Sequence, residues 1–170
     1  MTDLITAQTK EQINHWLTKY PPEQKRSAIL PALHLVQEQN GGHLTEPLLN
    51  AVAEYLELPR VAVYEIATFY SMFHLKPMGK YTISVCSNIS CMLCGAEDIL
   101  KHLEDRLGIK TSETTADGKY TLLREGECLA ACGNAPMLQI NHERYYENLT
   151  IEKVDKIIDA LDKGEIPDAA

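Results

Sequence analysis

Two short segments that contain cysteine pairs constrain this chain more than any other feature. Cys86 and Cys91 enclose four residues, and Cys128 and Cys132 enclose three. Thiolates are soft ligands that suit zinc, copper(I) and iron-sulfur clusters. A fold that uses all four thiols must therefore bring two loops that are distant in sequence to one place.

A fifth cysteine, Cys94, leaves the ligand set open. A [2Fe-2S] cluster takes two cysteines on each iron, so one pair from each segment is a natural division. Plant-type ferredoxin spacing would instead use Cys86, Cys91, Cys94 and Cys128. One tetrahedral zinc ion, in a zinc-stabilised interaction module, would use Cys91, Cys94, Cys128 and Cys132. Cys91 and Cys94 also have the C-x-x-C spacing of a thiol-disulfide oxidoreductase.

The helical period after Cys91 favours a structural role for Cys94. Apolar residues recur there at steps of three and four as far as Gly108, which ends the predicted helix: Leu93, Ala96, Leu100, Leu103 and Leu107. If this helix begins near Cys91, Cys94 lies one turn in, beside Leu93 and near the apolar stripe. Because a free cysteine behaves as a small hydrophobe, we expect Cys94 to pack.

Residues 9–73 show the period of four short amphipathic helices. Pro21-Pro22, Gly41-Gly42 and Pro59 separate them. We expect residues 1–8 to be loosely ordered. We also expect the aromatic side chains near the end of this segment to pack in its core: Tyr64, Phe69, Tyr70 and Phe73. The break at Pro77-Met78-Gly79 predicts an N-terminal helical domain, residues 1–76, and a second domain, residues 77–170.

The second domain shows the period of strands as well as helices. Alternation over residues 81–85 predicts a strand that runs into Cys86, and residues 120–123 predict another. Short strands at residues 137–140 and 144–146 and a last helix capped by Thr150 follow. Strand, helix, strand, hairpin, helix is the outline of a thioredoxin-like domain. The predicted fold class is therefore α+β, with an N-terminal helical bundle ahead of that domain.

Composition restricts the partners of this chain. The formal net charge of −8 argues against binding to a nucleic-acid backbone, which depends on clustered Lys and Arg. The sequence has neither a signal segment nor an apolar run long enough for a membrane span, so we expect a cytoplasmic protein without direct membrane insertion. Cysteines in a reducing compartment bind metal or carry out redox chemistry more often than they form disulfides.

Three motifs of the chain resemble those of a known family. They are Cys86-x4-Cys91, the run E-C-L-A-A-C-G-N-A-P-M from Glu127 to Met137, and Ala67-Thr68-Phe69-Tyr70. Together they resemble the thioredoxin-like [2Fe-2S] subunit of respiratory NADH:quinone oxidoreductase, complex I. Related small subunits occur in NAD-linked hydrogenases and formate dehydrogenases, and membership of one of those complexes is an alternative. The resemblance runs from about residue 20 to the last helix.

The resemblance implies that Cys86, Cys91, Cys128 and Cys132 bind one [2Fe-2S] cluster. It implies an electron-transfer subunit in the peripheral part of a membrane-associated complex. The expected partner is the flavin- and NADH-binding subunit, because this chain shows no phosphate loop or dinucleotide motif that would hold FMN or NADH. We expect no catalytic acid, base or nucleophile on this chain. We also expect that the chain can form a homo-oligomer when it is isolated.

The chain departs from the family pattern at Cys94, which is not among the family's ligands, and at Ala130, where a glycine is frequent. If the backbone at that position needs a positive φ, alanine adds strain of roughly 1 kcal/mol. Such strain is too small to abolish a cluster site.

Overall fold

The structure is a computed structural model that describes residues 4–168. The chain divides into two compact units, Met1–Pro77 and Met78–Ala170. The first is helical, and the second contains a mixed sheet with helices, which gives the α+β class expected from the sequence. Among the described residues, no helix combines the length and apolar character that a bilayer crossing requires.

The helical unit contains the four α-helices that the periodicity predicts. They are α1 (Ala7–Leu17), α2 (Ile29–Gln39), α3 (Glu46–Leu56) and α4 (Arg60–Phe69). One apolar side of each helix enters a common core, in which Leu33, Val36 and Val52 are fully buried. Gln37 is buried and ties the end of the unit to α2, because its side chain donates to Met72 O at 3.0 Å and accepts from His74 N at 2.8 Å.

Two local expectations for this unit were wrong, and one further element was not anticipated. A 3₁₀ segment, Pro22–Ala28, precedes α2 and absorbs the restriction imposed by the two prolines. Of the residues expected to be loose, 1–3 lie outside the described part of the chain, while Ile5 is buried and α1 begins at Ala7. Phe69 is 79% exposed at the end of α4, although Phe73 is buried as expected.

The second unit is built on a four-stranded sheet. Its elements in chain order are β1 (Tyr81–Cys86), α5 (Ile89–Leu93), α6 (Ala96–Leu107), β2 (Tyr120–Glu125), β3 (Leu138–Ile140), β4 (Arg144–Tyr146) and α7 (Ile151–Asp162). The strand order is β2-β1-β3-β4, with β1 and β2 parallel and the other pairs antiparallel. Gly79 enters the sheet where a Cβ atom would meet the Tyr120 carbonyl carbon at 2.7 Å, so the boundary motif needs a glycine there.

This topology places both cysteine segments at one end of the sheet. Because β1 and β2 are parallel and Cys86 is in register with Glu125, both strands end at the same edge. β3 is antiparallel to β1, so the connection from β2 to β3, which contains Cys128 and Cys132, stays at that edge. Apolar residues of the sheet, α6 and α7 form one core beneath it, including Ile83, Leu103 and Leu161. Each such buried aliphatic side chain contributes about 2 kcal/mol through the hydrophobic effect.

The single long helix expected after Cys91 is in fact two helices. Gly95 adopts a φ of +93° and separates α5 from α6. Leu93 therefore leaves the apolar stripe of α6 and is 77% exposed. Cys94 is also exposed, so the expectation that it packs in the core was wrong.

Candidate metal centre

Cys86 ends the central strand of the sheet, which fixes its position closely. Its backbone N–H donates to Met137 O at 3.2 Å, and the next amide, Ser87 N, donates to Glu125 O at 2.8 Å. The Ser87 hydroxyl donates to the same carbonyl at 2.9 Å. The Cys86 side chain is only 2% exposed. The first thiol is thus held by neighbouring backbone on both sides of β1.

Cys91 lies inside α5, and the cap of that helix connects the two cysteine segments. The Asn88 side chain accepts from Ile89 N at 2.8 Å, which satisfies a free amide at the helix start, and donates to Gly126 O at 3.0 Å. Cys91 is 2% exposed, on the inner side of the helix. Asn88 therefore sets the position of α5 relative to the loop that carries the second pair.

The second pair lies in a loop with little regular structure. Cys128 and Cys132 are exposed, and their Sγ atoms are 3.2 Å apart. Between them Ala130 adopts a φ of +64°, and its backbone N–H donates to Cys128 Sγ at 3.4 Å. This left-handed turn returns the chain toward Cys128 and opens the short 3₁₀ segment Cys132–Asn134. Ala130 thus has the positive φ that, as stated above, strains a residue with a Cβ atom.

The end of the second loop is anchored to the connection between β4 and α7. Asn134 donates through its side chain to Glu147 Oε2 at 2.6 Å, and its carbonyl accepts from Asn148 N at 2.7 Å. The Pro136 carbonyl accepts from Leu149 N at 3.0 Å. The Ala135–Pro136 peptide bond is cis. These contacts hold the loop at its exit, whereas its cysteines remain open to solvent.

The four thiols lie close enough to affect one another's protonation. Burial raises the pKa of Cys91 to about 11, and the hydrogen bond with Cys86 and the charge of Cys132 add to the increase. The hydrogen bond from Cys132 lowers the pKa of Cys128, with help from the Ala130 amide. The pKa of Cys132 is raised, first by Cys128, while the Ser90 hydroxyl opposes that increase.

This donor set fits a two-iron cluster in its chemistry and grouping. The thiols form two pairs, Cys86 with Cys91 and Cys128 with Cys132, and each iron of a [2Fe-2S] cluster takes two cysteines. Metal–thiolate bonds of the length found at zinc, about 2.3 Å, place two sulfurs of one tetrahedral metal about 3.8 Å apart. The exposed pair is near that separation. Over residues 4–168, no three His, Cys, Asp or Glu side chains surround a single point as ligands of one metal ion.

The position of Cys94 bears on the rival ligand sets. Within the described residues, no hydrogen bond joins the Cys94 side chain to another thiol, whereas Cys128 and Cys132 are in contact and Cys86 raises the pKa of Cys91. Reactive cysteines in C-x-x-C redox motifs have lowered pKa values and partial exposure. Cys91 has the opposite properties, because it is buried and its pKa is raised. The structure therefore disfavours a thiol-disulfide site at Cys91 and Cys94.

Sequence reasoning missed Glu125, which belongs to the site. We predicted that the second strand ends at Leu123, but β2 continues to Glu125, beside Cys86. Its carbonyl fixes Ser87, and its side chain is only 9% exposed. Burial raises the pKa of Glu125, the Ser84 hydroxyl opposes this, and Glu127 adds to the increase. Arg124 and Glu125 are both charged, so the local pattern gave no signal that the strand continues.

Comparisons with known proteins show the family to which similar chains belong. The family model described as "Thioredoxin-like [2Fe-2S] ferredoxin" matches residues 13–162. The chain is 57% identical over 143 residues to a protein of Rickettsia felis named as a subunit of NADH-quinone oxidoreductase, and the match covers 84% of each chain. It is 44% identical over 156 residues to a subunit of the same name from Rhizobium meliloti, covering 92% of this chain and 90% of that one.

Among solved structures, the chain is similar to an NAD⁺-reducing [NiFe]-hydrogenase in its air-oxidised state. The TM-score is 0.68 at 24% identity, and the match covers 82% of this chain but 23% of the hydrogenase chain. At that identity the likeness supports the fold alone.

Proposed function

This chain belongs to the thioredoxin-like [2Fe-2S] ferredoxin family, and from that membership we propose that it is the electron-transfer subunit of an NADH-quinone oxidoreductase. Relatives named as subunits of that complex match it over more than four fifths of both chains. The hydrogenase likeness extends the fold to a second kind of NAD-linked complex but gives no separate support for that function.

We assign Cys86, Cys91, Cys128 and Cys132 as the cluster ligands. The observation that carries the proposal is the convergence of these four thiols, from two segments distant in sequence, at one edge of the sheet. Cys94 is left out of the set because it is exposed and, among the described residues, its thiol forms no hydrogen bond with another thiol.

When bound, a [2Fe-2S] cluster supplies one-electron chemistry. The chain's own groups hold it and set its environment. Cys86 and Cys91 are buried and exclude water on the inner side of the site. The Ala130 amide donates to Cys128 Sγ and stabilises negative charge on that sulfur, and the Ser90 hydroxyl acts to lower the pKa of Cys132. Hydrogen bonds to sulfur and solvent exposure are two of the factors that set cluster potentials.

We propose that the partner is the flavin- and NADH-binding subunit of the same complex, which carries FMN and NADH. The chain is then a peripheral component on the cytoplasmic side of a membrane-associated complex. The name of the relatives supports this assignment, since oxidation of NADH and delivery of single electrons require a flavin that converts two-electron into one-electron chemistry.

Anaerobic purification of the full chain tests the proposal. We expect a brown protein with two irons and two acid-labile sulfides per chain and a paramagnetic signal that appears on reduction. Zinc at one equivalent without a redox signal would contradict the proposal in favour of a structural metal. A colourless, metal-free protein that reduces a disulfide substrate would contradict it in favour of thiol-disulfide chemistry.

A further inference from the structure

Asn88 bonds to both cysteine segments through one side-chain amide. Its Oδ1 accepts from Ile89 N at 2.8 Å, at the start of α5, and its Nδ2 donates to Gly126 O at 3.0 Å. The backbone carbonyl of Asn88 also accepts from Met92 N at 2.9 Å, which closes the first turn of the helix. Because a backbone N–H only donates and a backbone carbonyl only accepts, the two side-chain bonds require an acceptor and a donor on the same side chain.

Asn88 lies where the pairing of the two parallel strands ends. Glu125 is the last residue of β2, and its carbonyl accepts from Ser87 N at 2.8 Å. The next carbonyl along the chain, Gly126 O, accepts from the next residue of the first segment, Asn88. We call residues 126–135 the second cysteine loop. The side chain of Asn88 therefore continues the ladder of hydrogen bonds by one step, into the start of that loop.

The bond from Asn88 to the second cysteine loop does not involve a ligand sulfur. Within the described part of the chain, the other hydrogen-bonding contacts between this loop and the first cysteine segment do. Cys86 Sγ lies 4.0 Å from Glu127 O, and the Ser90 hydroxyl acts to lower the pKa of Cys132. A metal-bound thiolate has no proton to donate, so Cys86 cannot keep its hydrogen bond to Glu127 when it binds metal. Asn88 keeps both of its bonds.

Both elements that Asn88 joins need such a restraint. α5 has only five residues, Ile89–Leu93, and a helix of that length is not stable by itself. Just beyond its other end, Gly95 takes a φ of +93° and turns the chain into α6. Gly126 is exposed, and a Cβ atom built there would meet nothing within 4 Å. Packing therefore does not hold the loop at Gly126, whereas the bond from Asn88 does.

We propose that Asn88 is a positioning residue for the metal centre, which holds the exposed cysteine pair in place relative to the buried pair and so slows the loss of the cluster. The inference rests on the proposed function, because it takes the [2Fe-2S] cluster as the bound group. Without the Asn88 bond, the second cysteine loop is anchored at its exit, through Asn134 and Pro136, but not at its entry. Cys128 then moves away from the buried pair more often, and each such opening admits water and competing ligands.

Release of iron to a chelator from the full, cluster-bearing chain tests the inference. We compare the wild type with Asn88→Ser, which keeps a side-chain oxygen able to cap α5 but lacks the amide that reaches Gly126. Asn88→Ala removes the cap as well. The control is Thr6→Ala, which removes a cap from α1 in the helical unit, where Thr6 Oγ1 accepts from Thr9 N at 3.2 Å. Iron analysis first establishes how much cluster each protein carries.

We expect both Asn88 variants to release iron roughly fivefold faster than the wild type, the factor that corresponds to one hydrogen bond of average strength. Thr6→Ala should release iron as the wild type does. The paramagnetic signal of reduced Asn88→Ser should also be broader than that of the wild type, because the loop then holds its cysteines in a range of positions. Thr6→Ala should leave the width of the signal unchanged.

Limited proteolysis of the cluster-free chain is a second measurement, and it does not depend on the bound group. A glutamate-specific protease cleaves after Glu127, in the second cysteine loop, and after Glu113, in another exposed loop of the same unit. We expect Asn88→Ser to accelerate cleavage at Glu127 roughly fivefold, since the bond that restrains the loop entry is absent. Cleavage at Glu113 should be unchanged.

Wild-type rates of iron release and of cleavage in Asn88→Ser would overturn the positioning role while leaving the proposed function intact. Faster release in Asn88→Ala but not in Asn88→Ser would also overturn it, because the helix cap and not the bond to the loop would then be responsible. Equal acceleration by Thr6→Ala would contradict it as a general loss of stability. A wild type that binds no [2Fe-2S] cluster would reject the proposed function, and the positioning role with it.

Discussion

Cys86 and Cys91 lie at the end of a central strand and inside a helix, and each is 2% exposed, whereas Cys128 and Cys132 lie in an open loop and are exposed. The first pair is held by strand pairing and by the core beneath it. The second pair is held by one left-handed turn and by hydrogen bonds at the exit of its loop. One side of the centre therefore supplies rigidity, and the other supplies access.

The same difference extends to the chemistry of the thiols. Burial raises the pKa of Cys91, while hydrogen bonds lower the pKa of Cys128. A redox centre that must exchange electrons with a second protein needs one buried side and one exposed side. A fully buried centre would be too far from a partner, and a fully exposed one would admit water on every side.

Replacing one thiol of each pair sharpens this comparison most strongly. We expect Cys91→Ser and Cys132→Ser each to lose most of the bound iron and the paramagnetic signal, because a serine hydroxyl is a poor ligand for this cluster. When all three proteins are compared without the cluster, Cys91→Ser places a hydroxyl in a buried site and lowers the free energy of unfolding by about 1–3 kcal/mol, whereas Cys132→Ser at the surface does not. Metal analysis and urea denaturation measure the two effects.

The control for this experiment is Cys94→Ser, which should retain two irons and an unchanged signal. Loss of the cluster in Cys94→Ser together with its retention in Cys132→Ser would show that the ligands follow the plant-type spacing. It would also remove the basis for dividing the centre into a buried and an exposed pair.

Alkylation of the cluster-free protein compares the two pairs at the level of single thiols. Because the thiolate is the reactive form, the raised pKa of Cys91, about 11, and the lowered pKa of Cys128 predict very different rates at neutral pH. We expect Cys128 to react with iodoacetamide on the order of a hundredfold faster, as measured by mass spectrometry of peptides. The Cys91 rate should still be rising at a pH where the Cys128 rate has levelled off.

The same measurement in concentrated urea is its control, since unfolding removes burial and the thiol contacts and should bring the rates together. Equal rates in the native protein would mean that the structural difference between the pairs has no chemical consequence.

Truncating one side chain near each cysteine pair compares how much packing around the two pairs contributes to the free energy of unfolding. Met137 is fully buried, and its carbonyl accepts from Cys86 N. We expect Met137→Ala to reduce the free energy of unfolding by about 3 kcal/mol, because it leaves a cavity in the core. Leu129, in the second loop, is only partly buried, so Leu129→Ala should cost less than half as much. A larger loss for Leu129→Ala than for Met137→Ala would contradict the view that the core supports mainly the first pair.

The sequence was sufficient for those parts of the fold that depend on local pattern. Alternation located β1 and its junction with Cys86, and Thr150 does cap α7, accepting from Lys153 N at 3.3 Å. Gly108 ends α6 with a φ of +67°, as its place after the apolar period predicts. The cysteine spacing, with the motif around it, pointed to the edge of the sheet where the thiols converge.

The remainder depends on contacts that local pattern does not contain. Leu93 fits the period of α6, and only the left-handed conformation of Gly95 moves it to the surface. β2 extends to Glu125 because it pairs with the end of β1, which is distant in sequence. The burial that distinguishes Cys91 from Cys128 likewise arises from the core beneath one loop and not the other. Those differences are tertiary, so spacing alone leaves several ligand sets open.

The smallest expected effect concerns the turn that shapes the second pair. Ala130 has a φ of +64°, a conformation that costs a residue with a Cβ atom roughly 1 kcal/mol and costs glycine nothing. Ala130→Gly should therefore raise the free energy of unfolding by up to about 0.5 kcal/mol, once the cost of about 0.5–1 kcal/mol for the greater entropy of glycine in the unfolded chain is subtracted. The amide that donates to Cys128 Sγ is retained, so we expect the midpoint of a redox titration to stay within a few millivolts.

Ala131→Gly is the matched control for this turn. Ala131 has a φ of −108°, which a residue with a Cβ atom adopts without strain, so glycine there adds unfolded-state entropy and relieves nothing. We expect the control to lower the free energy of unfolding by about 0.5–1 kcal/mol, opposite in sign to Ala130→Gly. Two changes of the same sign would mean that the second loop relaxes freely around either residue. The exposed pair would then lack the fixed turn that distinguishes it from a flexible loop.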